Sequence, residues 1–161
     1  MADMLVKLYD IEDMPQLYEK LEGKGIRIKR ALGMDTSKIL DFVAEHFHQG
    51  WVDECRVALL KQPSTCYIAV KEKKVVGFCC YDATYKDYVG PIGVDEKERA
   101  QGIGQALMRK CMAAMREEGY GYAIIGWAAE KAMPMYERSF GAMEIPDSHP
   151  GIYANMVEAD D

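Results

Sequence analysis

A basic surplus, a paired-cysteine framework and a long apolar run are all missing from this sequence of 161 residues. Lys and Arg number 20 against 26 Asp and Glu, for a net charge of −6. The chain therefore lacks the cationic excess that a non-specific nucleic-acid binder or a basic membrane-surface protein turns toward phosphate, and neither nucleic acid nor membrane is expected as a partner. No apolar stretch approaches the ~20 residues needed to span a bilayer. The opening Met1-Ala2-Asp3 has no basic segment ahead of an apolar one, so nothing there reads as a secretory signal. The five cysteines, Cys55, Cys66, Cys79, Cys80 and Cys111, are odd in number and lack C-x-x-C spacing, which suggests neither a disulfide set nor a zinc site. His46 and His48, two apart on a helix, face different sides and make no metal pair. A reducing, cytoplasmic setting and a site without metal are the expectations that follow.

What is present is the composition of an ordinary globular protein, 49% hydrophobic and 29% charged, in a length suited to one core. Alternation and helical spacing then give an order of elements. A strand over 4–9 and a helix over 14–21 come first. A half-buried strand over 26–31 follows, then a helix with Ile39, Phe42, Val43 and Phe47 on one face and a second helix over 51–60. Three strands, 65–70, 75–81 and 88–94, include a hairpin at Lys71–Lys74. A helix over 102–116 places Ile103, Leu107, Cys111 and Met115 at intervals of four and turns Arg109 and Arg116 outward. A buried strand over 122–127, a helix over 129–140 with Pro134 near its start, and a closing strand pair at 142–145 and 152–157 complete a mixed α/β architecture around a central sheet.

The most informative stretch runs from Val94 through Arg99, Ala100, Gln101, Gly102, Ile103, Gly104 and Gln105. It reads as a strand, a charged loop and glycines opening an amphipathic helix. The first amides of that helix have no internal partner and can point at an anion, and a glycine there lets a phosphate approach the backbone. Arg99 adds a side-chain charge. Neither G-x-x-x-x-G-K-[ST] nor a full G-x-G-x-x-G is present, so the usual nucleotide loops are excluded.

In Arg99-x-x-Gly102-x-Gly104 placed five residues after Val94, in the strand over 122–127, and in Ala132-x-x-x-Tyr136-Glu-Arg-x-Phe-Gly141-Ala, the chain resembles the GCN5-related N-acetyltransferase (GNAT) family. The agreement runs from about residue 26 to the C-terminus. It divides the chain into a strand–helix extension over 1–25, which could complete the sheet, cover the acceptor site or form a homodimer contact, and a GNAT-like domain over 26–161.

The resemblance implies a single domain with a central mixed, mostly antiparallel sheet flanked by helices, and acetyl-coenzyme A as cosubstrate with no metal. It also implies pyrophosphate binding by the amides from Arg99 through Gln105 (Arg99, Ala100, Gln101, Gly102, Ile103, Gly104 and Gln105), and pantetheine contacts to the main chain of Ile92 and Val94. Tyr136 matches the tyrosine that protonates the departing thiolate. The family's frequent asparagine seven residues before that tyrosine is Ala129 here.

The function implied is direct transfer of acetyl to a primary amine of a small molecule or peptide; the alternative is an acyl-coenzyme A-binding module without turnover. Asp82, Asp87, His48, His149 and Glu144 are candidate bases, with none ranked above the others, and Phe47, Trp51 and Tyr153 are candidate walls of the acceptor pocket. Cys79 and Cys80 point to opposite faces of their strand and are expected as buried thiols. The acidic balance leans the acceptor toward a cationic amine and requires a local cationic zone, expected at Lys97, Arg99, Arg109 and Lys110.

Overall fold

Alternating side chains in the middle of the chain build the sheet around which the rest packs. In β3 (Cys66–Lys71) and β4 (Lys74–Tyr81), Ile68, Phe78 and Cys80 enter one apolar cluster, while Ala69, Cys79 and Tyr81 enter another on the opposite face. The two strands are joined by Glu72 and Lys73, both at positive φ (50° and 65°), the backbone of a tight two-residue hairpin turn whose twist suits antiparallel strands. The computed structural model describes residues 1–159. Its other strands are β1 (Ala2–Lys7), β2 (Ile26–Arg30), β5 (Tyr88–Val94), β6 (Tyr122–Ala128) and β7 (Met143–Glu144). They form one sheet in the order β2-β3-β4-β5-β6-β1-β7. Every neighbouring pair is antiparallel except β5 and β6.

Helices cover both faces. Helices α2 (Thr36–His46) and α3 (Gln49–Leu59) close one side with Ile39, Val43, Cys55 and Ala58. On the other lie α1 (Pro15–Gly23), α4 (Ile103–Glu117) and α5 (Met133–Phe140). Ile103, Leu107, Cys111 and Met115 of α4 are fully buried, as their spacing requires. Pro134 sits in the first turn of α5, where its missing N–H costs no helical bond.

Three expectations need correction. Residues 152–157 form no strand: Gly151–Asn155 is a 3-10 turn. The sheet ends at β7, which pairs with β1 alone, and Gly151, at a φ of 63°, turns the last segment into that tight coil instead of laying it along the β7 edge. Arg109 does not face outward. It is buried, donating to the carbonyls of Glu12 (2.9 Å) and Ser139 (3.0 Å), with its guanidinium over the Phe140 ring. It thus ties the approach to α1, the middle of α4 and the end of α5 together. Arg116 is half-buried, donating to the Ile11 carbonyl at 2.7 Å. Of the three roles open to the N-terminal strand, it completes the sheet.

Candidate functional site

The parallel pair β5–β6 opens almost as soon as it forms. Only Tyr88 and Val89 pair with Ile124 and Ile125, and beyond them the two strands diverge. On its other flank β5 stays on β4, with one extra residue between the pairs Tyr81–Val89 and Cys79–Ile92. This is a β-bulge, which bends the strand and re-aims its groups. Asp95 donates to the Val76 carbonyl, so by antiparallel alternation Gly93 bonds toward β4, while the amides and carbonyls of Ile92 and Val94 face the open side. The result is a flank of main-chain groups that make no bond to β4, the Val94 carbonyl accepting from the Arg99 side chain instead.

That flank leads into the turn before α4. Ala100 and Gly102 have positive φ (64° and 92°), and Gly102 caps the helix from the left-handed region. A side chain at Gly102 would be strained there and would press on Leu17. The first bond of α4 runs from the Ala106 amide to the Gly102 carbonyl, which leaves the amides of Ile103, Gly104 and Gln105 without a partner in the helix. Alternating backbone hands of this kind turn successive amides into one concavity. Gly104 faces Ile92 and Val94, so that a methyl would just fit at 3.8 Å while a longer side chain would fill the hollow.

The hollow measures about 340 Å³ and is lined by Ile92, Val94, Arg99, Ala100, Gly102, Ile103 and Gly104 among the expected cosubstrate residues, and by Phe47, Trp51, Gly93 and Glu98 besides. Gln101 and Gln105 are absent from the lining. Gln101 donates to Glu98, and the Gln105 side chain bonds Ser139 on α5. An acidic side chain beside an anion cradle would repel its ligand, but Glu98 is paired with Lys71 at 2.9 and 3.0 Å, which also holds its carboxyl below the usual range. Of the expected cationic zone only Arg99 belongs to the hollow, its Nε donating to the Val94 carbonyl at 3.2 Å. Arg109 is buried, Lys110 lies over the Tyr18 ring, and Lys97 lines a separate groove with Lys38 and Asp41. Free amides, room at Gly104 and the open flank of β5 together fit a pantetheine diphosphate.

A second cavity of about 450 Å³ adjoins the first, and Trp51 and Ile92 belong to both. Its lining includes Met1, His48, Glu54, Tyr88, Trp127, Ala129, Tyr136 and Tyr153. Tyr136 is 8% exposed, and burial, with Cys79 nearby, raises its phenol above the ordinary value, so it rests protonated. Trp127 has a positive φ of 46°, uncommon for a bulky residue. The Asp3 carboxylate accepts its amide at 2.9 Å, the Pro150 carbonyl accepts its indole N–H at 3.2 Å, and the Tyr153 ring stacks on it at 4.1 Å. The buried end of β1 thereby fixes one wall. Gly126 is required beneath this stack, because a Cβ there would collide with Tyr88 and Tyr153.

Of the candidate bases His48 alone lines the cavity. Asp82 accepts the Tyr120 hydroxyl and the Asp87 amide, away from both hollows. His149 packs against Trp127 from outside the lining, and Glu144 is exposed on β7. Trp51 and Tyr153 are walls of the larger cavity and Phe47 of the smaller. Sequence reasoning passed over Glu54, one turn after Trp51 on α3. Burial raises its carboxyl above the ordinary range against the opposing pull of Thr84 and His48. The signal available was an acidic residue at helical spacing from an aromatic one, beside buried Cys55.

Cys79 and Cys80 are buried on opposite faces and line neither hollow. The sulfurs of Cys55, Cys66 and Cys80 lie within 4.8 Å of one another, a juxtaposition that sequence spacing does not reveal. They sit in an apolar core with Phe78, Ile68 and Ile39, and all three are buried. Among the described residues no helix is long and apolar enough to cross a membrane.

Residues 33–142 match the model of a protein family described as "Acetyltransferase (GNAT) family". A search of curated proteins finds no match. Among solved structures the chain is similar to a GCN5-related glucosamine N-acetyltransferase region in a fungal multi-domain GH3 β-N-acetylglucosaminidase (TM-score 0.72, 14% identity, 89% of this chain and 19% of that one). It is also similar to a GCN5-related N-acetyltransferase from Sphaerobacter thermophilus (TM-score 0.67, 20% identity, 89% and 48%). A third similar structure is a GNAT family acetyltransferase from Brucella melitensis in complex with acetyl-CoA (TM-score 0.52, 17% identity, 68% and 80%). The chain spans less than half the length of the first two. At these identities the likeness establishes the fold.

Proposed function

Since the chain belongs to the GCN5-related N-acetyltransferase family, we propose that it transfers the acetyl group of acetyl-coenzyme A directly to a primary amine, cationic in solution, of a small molecule or peptide. The observation that carries this reading is the junction of the two cavities at Trp51 and Ile92. One side offers amides to a diphosphate; the other offers an aromatic chamber with a protonated phenol.

The residues divide the work by position. Amides of Ile103, Gly104 and Gln105, with Arg99 beside them, hold the diphosphate. The main-chain groups of Ile92 and the Val94 amide hold the pantetheine arm as an added strand would be held, and an amide on that flank polarises the thioester carbonyl as negative charge develops on its oxygen. Tyr136, kept protonated by burial, supplies the proton to the thiolate that leaves. With the phenol raised above ~10 and a thiol near ~8.5, the transfer is uphill by at least ~2 kcal/mol, small beside the barrier to acyl transfer. Trp51, Phe47 and the other rings keep water from the thioester.

The alternative, an acyl-coenzyme A-binding module without turnover, draws on Ala129, which lines the acceptor cavity where the family often places asparagine. Thiol release from acetyl-coenzyme A in the presence of a broad amine panel separates the two. The transferase reading expects release above background with at least one amine class. Tight cosubstrate binding with no amine-dependent release would replace it by the binding module.

A further inference from the structure

We infer that Glu54 seats the acceptor amine and takes its proton, and that the acceptor is a primary amine bearing one positive charge on an apolar, ring-sized body. The inference rests on the transferase reading above and goes further by naming the residue and the chemistry it selects.

Among the described residues that line the 450 Å³ cavity, Glu54 is the single carboxylate. Trp51, Tyr88, Trp127 and Tyr153 line the same cavity, Tyr153 close enough to feel the Glu54 charge, and the polar groups beside Glu54 are the Thr84 hydroxyl and His48. The neighbouring carboxylate, Asp3, is spent: it is buried outside the lining and accepts the Trp127 amide, with the Tyr88 hydroxyl at 3.5 Å. A half-buried carboxylate among aromatic faces is poorly solvated, and an ammonium both neutralises it and interacts with the rings. One carboxylate answers one charge. A polyamine or amino-sugar polycation would bring further charges into an apolar chamber that has nothing to pair them, so the site discriminates against it. The rings instead favour a flat or branched hydrocarbon body.

The proton ledger closes with groups already placed. The ammonium gives one proton to the Glu54 carboxylate, and the freed lone pair forms the C–N bond at the thioester carbon while the C–S bond breaks. The departing thiolate takes the Tyr136 proton. The second proton shed by nitrogen restores the phenol, and Glu54 returns its own to solvent. The products are an amide, a thiol and one released proton. His48, at the N-terminus of α3, and Tyr153, from the C-terminal turn, interact with Glu54 directly, and Tyr88, Tyr136 and the Met1 amino group are the other titratable groups in the cavity lining.

The test is calorimetry on the whole chain saturated with coenzyme A, titrated with phenethylamine, spermidine and 2-phenylethanol, for the native protein, Glu54→Gln and Glu54→Asp. Coenzyme A affinity, measured first, reports that each variant is folded. The expected result is phenethylamine binding about 30-fold weaker in Glu54→Gln, partly restored in Glu54→Asp, with spermidine at least tenfold weaker than phenethylamine in the native protein and 2-phenylethanol indifferent to the substitution. Coenzyme A binding with equal phenethylamine affinity in native protein and Glu54→Gln, with tighter spermidine than phenethylamine binding, or with no phenethylamine binding at all, would overturn the inference and leave the transferase reading standing. Failure of the native protein to bind coenzyme A would remove that reading and this inference with it.

Discussion

The backbone of the anion cradle comes from one short run of chain, Ile92 to Gln105, with Phe47 and Trp51 closing its hollow, whereas the aromatic cavity beside it gathers residues from Met1, α3, β5, β6, α5 and the turn at Tyr153. The first needs only local conformation: a bulge, two left-handed residues and a helix start. The second exists only once the sheet has placed β1 beside β6 and Asp3 has fixed Trp127. Cosubstrate binding is thus built by neighbours in sequence and acceptor choice by neighbours in space, so changes that harm one can spare the other.

Arg109 is where the two halves meet, since it holds α5, which carries Tyr136, to α4, which carries the cradle. Arg109→Met should cost about 3 kcal/mol by leaving the Glu12 and Ser139 carbonyls without donors, and denaturant unfolding will show whether stability falls while both ligands still bind to the folded fraction. Tyr136→Phe touches only the acceptor half. It should lower turnover by about 10²-fold with cosubstrate affinity unchanged, and an unaltered rate would return Tyr136 to the core. Gly104→Leu touches only the cradle: its side chain would fill the space before Ile92 and Val94, so coenzyme A should bind at least ~10-fold more weakly by calorimetry, while Gly104→Ala, which fits at contact distance, should bind nearly as the native protein does.

The smallest effect lies outside both halves. Burial, with Asp82 beside it, pushes the Asp87 carboxyl up to about 6, and one of its oxygens is buried without a hydrogen-bond partner among the described residues. A folded pKa above the unfolded value of ~3.9 means that the charged form is penalised by folding, so the penalty is present above pH ~6 and disappears as pH falls through that range toward ~4. Asp87→Asn should therefore stabilise by about 1 kcal/mol at pH 7, allowing for solvent screening, and raise Tm by roughly 3 °C. Near pH 4 the two proteins should melt together.

The same division explains what the amino-acid order discloses. Helix α4 was legible because Ile103, Leu107, Cys111 and Met115 repeat every four residues, and the cradle because Gly102 and Gly104 stand between a strand and that helix. Arg109 was not, since its charge suggests solvent and only the carbonyls of distant segments reveal a buried role. Glu54 was hidden for a related reason: nothing in α3 says that Tyr153, about a hundred positions later, will close over it. Residues 152–157 have strand-like apolar content, but they do not lie along the β7 edge. Gly151, at a φ of 63°, turns the chain back instead.

The central claim, that the open flank of β5 and the start of α4 form the coenzyme A site next to the aromatic cavity, is tested most directly by following backbone amide resonances as coenzyme A is added. The largest shifts are predicted at Ile92, Val94, Gly102, Ile103 and Gly104, with Trp51 responding at the junction. Unmoved resonances there, with shifts gathered instead along the lysine-lined groove of Lys38, Lys73 and Lys97, would contradict it.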